Sequence, residues 1–137
     1  MTIELLDVKR DASGGNSGPP ATAREKIRGI EELARMADET RASGGEVVLA
    51  HGVFDLLHMG HVRHLEAARS EGDLLIVTLT ADRYVNKGPG RPVFPELTRA
   101  EMVAALRCVD GVGISNWSTA EGAQSHRAGL CPACGGA

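Results

Sequence analysis

Two uninterrupted apolar runs, EVVLA at 46–50 and DLLIVTLT at 73–80, constrain this chain more than any other feature. A strand with one wet face alternates apolar and polar residues, whereas a continuous run suits a strand buried on both faces. Between the runs, Gly60 to Ser70 has helical spacing, with Val62, Leu65 and Ala68 turned inward. Strand, helix and strand in that order imply a parallel sheet with a right-handed crossover. The pattern extends both ways. Upstream, Thr22 and Glu25 have the spacing of a capping box. A helix is expected from there to SGG at 43–45, with Ile27, Ile30, Ala34 and Ala37 on its apolar face. Downstream, Thr98 and Glu101 form a second capping box, with Met102, Val103 and Leu106 inward, before a weaker third strand, GVGIS at 111–115. The expected fold class is therefore α/β, a Rossmann-like parallel sheet with flanking helices. Ligands in such sheets bind beyond the carboxyl ends of the strands. The polar loops 51–60 and 81–97 both follow strand ends and should share that rim.

With 137 residues the chain holds one domain at most. Residues 1–22 read as a flexible segment, because DASGGNSGPPA at 11–21 has linker composition. The α/β domain is expected over 23–117. Residues 118–137 read as an irregular tail, truncated or out of frame, with Leu130 its one large aliphatic residue. Aromatics make up only 3% and the net charge is −3, which argues against nucleic acid and anionic membranes as partners. The start, MTIELLDVKRD, lacks a signal peptide's features, so the cytoplasm is expected. Three cysteines do not suggest a disulfide framework. Cys108 reads as a small buried hydrophobe. Cys131 and Cys134 form a lone C-x-x-C near His126, half a zinc ribbon at best, and no metal ligands are assigned.

Four of the five histidines, His51, His58, His61 and His64, fall within AHGVFDLLHMGHVRHLEAARSEG. A zinc site needs three or four ligands, and Glu66, the one nearby acid at helical spacing, lies on another side of the helix. His64 reads as a surface residue, and His51 as a residue following the strand end. His58 and His61 are different. They flank Gly60 at a strand-to-helix turn, where free N–H groups and the helix dipole attract anions. Gly52 and Gly60 permit close backbone approach. Residue chemistry thus prefers a phosphate site to a metal site.

GVFDLLHMGH, Gly52 to His61, resembles the G-x-F-D-x-x-H-x-G-H signature of the cytidylyltransferase-like nucleotidyltransferases. KGPGRPVF, Lys87 to Phe94, resembles that family's second loop, and RAEMVAALRCVDGV, Arg99 to Val112, its following helix and strand. The leading helix, 24–43, is similar to the segment before the motif in the adenylyltransferase domain of bacterial ADP-heptose synthases. The likeness covers roughly 24–117 and is expected to fail after Trp117.

The resemblance implies that a phosphorylated acceptor attacks the α-phosphorus of ATP or CTP and that pyrophosphate leaves. A sugar 1-phosphate is the favoured acceptor. It implies that the Val53 and Phe54 backbone lines the phosphates and that His58 and His61 bind phosphate oxygens and steady the transition state. Lys87 would reach the triphosphate, with help from Arg91, and Arg99 would lie near the nucleotide. Magnesium would come with the triphosphate, held mainly by phosphate oxygens. Alternatives stay open at several positions. Asp55 could hold the turn through backbone bonds or act on the acceptor side. Lys87 and Arg91 could be solvated loop charges. Asp82 sits just past a strand end, where an active-site residue could sit. Arg99 is a cation in a helix's first turn, which the dipole disfavours and a ligand could explain. Two other functions stand beside transfer: a nucleotide-binding module without turnover, and a small metal-binding protein. A short sheet should leave an edge exposed, so pairing with a second copy as a homodimer is also expected.

Overall fold

Residues 22–116, which the computed structural model describes, run through three strands and three α-helices. A short 3-10 turn, Ala23–Lys26, precedes α1 (Ile30–Ala42), β1 (Val47–Gly52), α2 (Met59–Ser70) and β2 (Leu74–Thr80). A second 3-10 turn, Asp82–Tyr84, leads to α3 (Glu96–Ala104) and β3 (Gly111–Ser115). The expected leading segment, and the tail with Trp117, His126, Cys131 and Cys134, lie outside the described residues.

The strands form one parallel sheet in the order β1-β2-β3. Val47 pairs with Leu74, and Ile76 with Gly111. Helix α1 covers one face through Leu33 and Ala37, which close over Ile76. Helices α2 and α3 cover the other, where Leu65, Ala100 and Val103 pack on Leu75, Val77 and Leu79. β3 is glycine-rich because α1 lies directly on it: a Cβ at Gly113 would stand 2.7 Å from Leu33 Cδ1. Cys108 is half-buried against the α2/α3 side, and burial pushes its thiol pKa up.

The expected α/β sheet is thus present, with three local corrections. The leading helix does not run from Thr22. The Glu25 carboxylate does accept from Thr22 N (2.7 Å), but it caps only the 3-10 turn. Ile27 then bridges Val112, and Arg28 N donates to Val112 O (2.9 Å), so sheet pairing takes these residues away from the helix. The α-helix starts at Ile30 and ends before Gly44, whose φ of +82° suits a glycine. Thr98 does not begin α3. Pro95 does, and Arg99 N makes an early helical bond to Pro95 O (3.0 Å). Finally, β1 is not buried on both faces. It is an edge strand of intermediate burial, and only β2 is enclosed as its continuous apolar run demands.

Candidate active site

The loop after β1 is built around Phe54. Its φ is +51°, and that of Leu56 is +63°, a region bulky side chains rarely occupy. Each such residue costs about 1–3 kcal/mol and persists only where its surroundings fix it. Here three contacts do so. The Phe54 ring is buried in the core and lies on Gly52, where a Cβ would stand 3.0 Å from its Cε2. Its edge meets the His61 ring at 5.4 Å between centroids and 64°. The neighbouring Asp55 side chain has no exposure and accepts from Arg91 (2.9 Å), Val93 N (2.9 Å) and Phe94 N (3.4 Å).

Asp55 therefore staples the first loop to the second. Burial alone would raise its pKa, but the Arg91 guanidinium and the two N–H groups together hold it below the ordinary value. The backbone bonds expected of Asp55 are thus present, made to the second loop. Arg91, for which a solvated loop charge is the alternative reading, reaches Asp55.

Helix α2 begins with a reciprocal cap made by two histidines. His58 is the N-cap, and its Nδ1 accepts from Gly60 N at 3.0 Å. His61 Nδ1 accepts from His58 N at 3.2 Å. The rings stand 3.9 Å apart with a tilt of 31°. No acidic residue occupies this first turn, so its positive end is not offset from within. The His61 pKa is lowered, first by burial and then by the charges of His58, Lys87 and His64. Lys87, on the exposed second loop, thus acts on the same imidazole. His64 is exposed further along α2. His51 is held on the sheet, with Nδ1 2.9 Å from Thr78 Oγ1.

Arg99, expected near the nucleotide, is buried in the wall that carries the two loops. Its side chain has no exposure. The guanidinium donates to Val53 O (2.6 Å), Phe94 O (3.0 Å), Thr80 O (3.0 Å) and Asp82 Oδ1 (2.6 Å). It ties the first loop, the end of β2 and the second loop into one wall. Asp82 faces this arginine with a side chain 40% exposed. Glu96, which sequence reasoning missed, accepts from Asp82 N at 2.7 Å. Nothing local in the sequence signals a contact between those two positions.

The structure thus brings together Gly52, Val53, Phe54, Asp55, His58, Gly60, His61, Lys87 and Arg91 around two loops of one rim. Residues 49–129 match the family model described as cytidylyltransferase-like. The chain belongs to the cytidylyltransferase-like family. The match extends past Trp117, which the sequence likeness takes as its end. The family's relatives include the bifunctional protein HldE of Trichlorobacter lovleyi, 48% identical over 89 residues, covering 64% of this chain and 18% of that protein. HldE of Streptomyces coelicolor is 41% identical over 115 residues, covering 80% and 25%. The chain therefore spans about a fifth of the length of the curated relatives it matches. Among solved structures, the lipopolysaccharide core biosynthesis protein from Thermoplasma volcanium GSS1 matches with a TM-score of 0.50 and 33% identity, over 53% of this chain and 60% of that one. The Rossmann-like architecture agrees with this family.

Proposed function

We propose that the chain is a nucleotidyltransferase that passes a nucleoside monophosphate from ATP or CTP to a phosphorylated acceptor and releases pyrophosphate. The observation that carries the reading is the histidine pair that caps the N-terminus of α2, whose first turn holds no acidic residue. An acceptor phosphate oxygen would attack the α-phosphorus, and the bond to pyrophosphate would break with the electron pair leaving on pyrophosphate. No covalent enzyme intermediate is required. The chain's task is to position the phosphates and offset charge as it develops. His58 and His61 supply hydrogen-bond donors, Lys87 supplies charge, and the Val53–Phe54 backbone lines the phosphates. Arg99 and Asp55 hold those walls.

Asp55 is occupied and Asp82 is paired with Arg99. Among the described residues no group of three or more His, Cys, Asp or Glu could hold a metal ion. The residues fit a magnesium ion brought on the triphosphate's own oxygens, where it would neutralise phosphate charge. A sugar 1-phosphate is the proposed acceptor, as the relation to HldE supports. The cytoplasm is the proposed compartment. Among the described residues no helix is long and apolar enough to cross a membrane. A homodimer is proposed as well: among the described residues β1 is an edge strand, without Lys, Arg, Asp, Glu or proline to blunt it. A monomer in size-exclusion chromatography with light scattering would remove that element.

The test is a thermal melt with ATP or CTP and magnesium, beside a pyrophosphate-release assay with sugar 1-phosphates. At a hundred times Kd, binding to the folded state should add about 2.7 kcal/mol. No shift with any triphosphate at millimolar concentration would sink the phosphate-site reading. A shift without pyrophosphate release would leave a binding module instead.

A further inference from the structure

We propose that the α2 backbone locks both site imidazoles as neutral Nε2–H tautomers, and that Gly60 is the positioning residue that lets His58 adopt this state. The functional meaning rests on the nucleotidyl-transfer reading, but the lock itself does not.

Two backbone amides fix which ring nitrogens accept. A backbone N–H can only donate, so His58 Nδ1, 3.0 Å from Gly60 N, accepts. His61 Nδ1, 3.2 Å from His58 N, accepts in the same way. An imidazole that accepts at one nitrogen is neutral and carries its proton on the other. Both protons therefore sit on Nε2. Flipping either ring would turn carbon toward an amide of the helix's first turn, which has no partner within the helix. The rings also lie against each other at 3.9 Å between centroids, and Phe54 meets the second edge-on.

Gly60 is what the His58 arrangement requires. A Cβ there would stand 2.7 Å from His58 Cε1 and 2.9 Å from Nδ1. Sequence reading gives Gly60 the task of admitting a phosphate. The structure gives its missing side chain to the His58 ring. Two donors are thus prepared before any phosphate arrives, and the positive charge is left to Lys87.

Protonating either Nδ1 would set donor against donor and open the cap. Burial is the first cause that favours neutral His61, Lys87 from the second loop adds to it, and His58 and His64 would add to it only when charged. Phe54, from the first loop, adds an uncharged wall.

The experiment is a two-bond 1H–15N correlation spectrum of the full chain labelled with 15N-histidine, at neutral pH and without nucleotide. His58→Gln and His61→Gln assign the signals. His58 and His61 should both show an unprotonated Nδ1 and a protonated Nε2, while exposed His64 averages between tautomers. In Gly60→Ala, the His58 pattern should move to a mixture and the His61 pattern should persist, because its cap comes from His58 N. Turnover of that variant should fall about a hundredfold, the scale of a misplaced reacting group. A protonated Nδ1 on either ring in the wild-type chain overturns the proposal, as does an unchanged His58 pattern in Gly60→Ala. The wild-type spectrum decides even where the variant does not fold. Locked tautomers in a chain whose melting point ignores every triphosphate would retire the transfer reading and uphold the lock.

Discussion

Replacing Arg99 with methionine removes the donor that ties three segments together. The substitution keeps much of the side chain's length and removes its four described hydrogen bonds. Asp82, with its side chain 40% exposed, can return to water at small cost. The carbonyls of Val53, Phe94 and Thr80 lose a partner, and each buried group left unsatisfied costs about 1–3 kcal/mol. Against this stands relief from burying a guanidinium. Toward the lower end of that range, the three carbonyls together make the loss about 3–5 kcal/mol. A domain of this size has roughly 5–14 kcal/mol in total. Arg99→Met should therefore consume a large share of the stability, and the melting point should fall by about 15 °C or more. Arg99→Lys keeps the charge but not the planar fork, so it should lie between. Urea unfolding of the full chain, followed by circular dichroism, measures both. A loss below about 1 kcal/mol in Arg99→Met, against that 3–5 kcal/mol expectation, would refute the assignment of Arg99 as the tie between the loops.

Four further outcomes are expected. His61→Ala should lower kcat about a hundredfold to a thousandfold, with a much smaller change in nucleotide affinity; His64→Ala should stay near wild type, and normal turnover in His61→Ala removes its role. The His61 pKa is lowered in the fold, so its contribution to stability is complete above the unfolded value near 6.5 and is lost as pH falls through the lower folded value. Urea midpoints across that window should drop toward acid less steeply in His61→Gln; equal slopes would count against it. Gly52→Ala crowds the Phe54 ring and should cost about 1–3 kcal/mol, so unchanged stability would show that the ring does not need that space. Lys87→Met should raise the His61 pKa, read by NMR titration, and shrink the triphosphate-induced melting shift; neither moving would separate Lys87 from the site.

The elements that were legible in the sequence are those that local chemistry decides. The run at 73–80 is a buried strand because every residue in its middle is apolar or small, and β2 is enclosed as expected. His58 and His61 were legible from their place beside Gly60. What stayed hidden depends on partners far along the chain. Arg99 reads as a cation ill-placed in a helix's first turn until Val53 O, 46 residues away, is seen to accept from it. The box at Thr22 and Glu25 forms as written, yet the helix stops because Val112 captures Ile27 and Arg28. The β1 run reads like that of β2, and only strand order reveals which one lies at the edge.

The parallel register has a consequence for how this chain assembles. Paired positions of β1 and β2 are 27 residues apart, and those of β2 and β3 are 35 apart. Among the described residues no hairpin starts the sheet, so each pairing must first close a long loop. The helices can gather early from local contacts, but the Arg99 ties need the ends of β1 and β2 and both loops already in place. They are therefore expected among the last steps of folding. Interactions absent from the transition state govern unfolding speed far more than folding speed. The buried arginine then acts as a brake on opening, and sets how long the assembled rim survives between excursions.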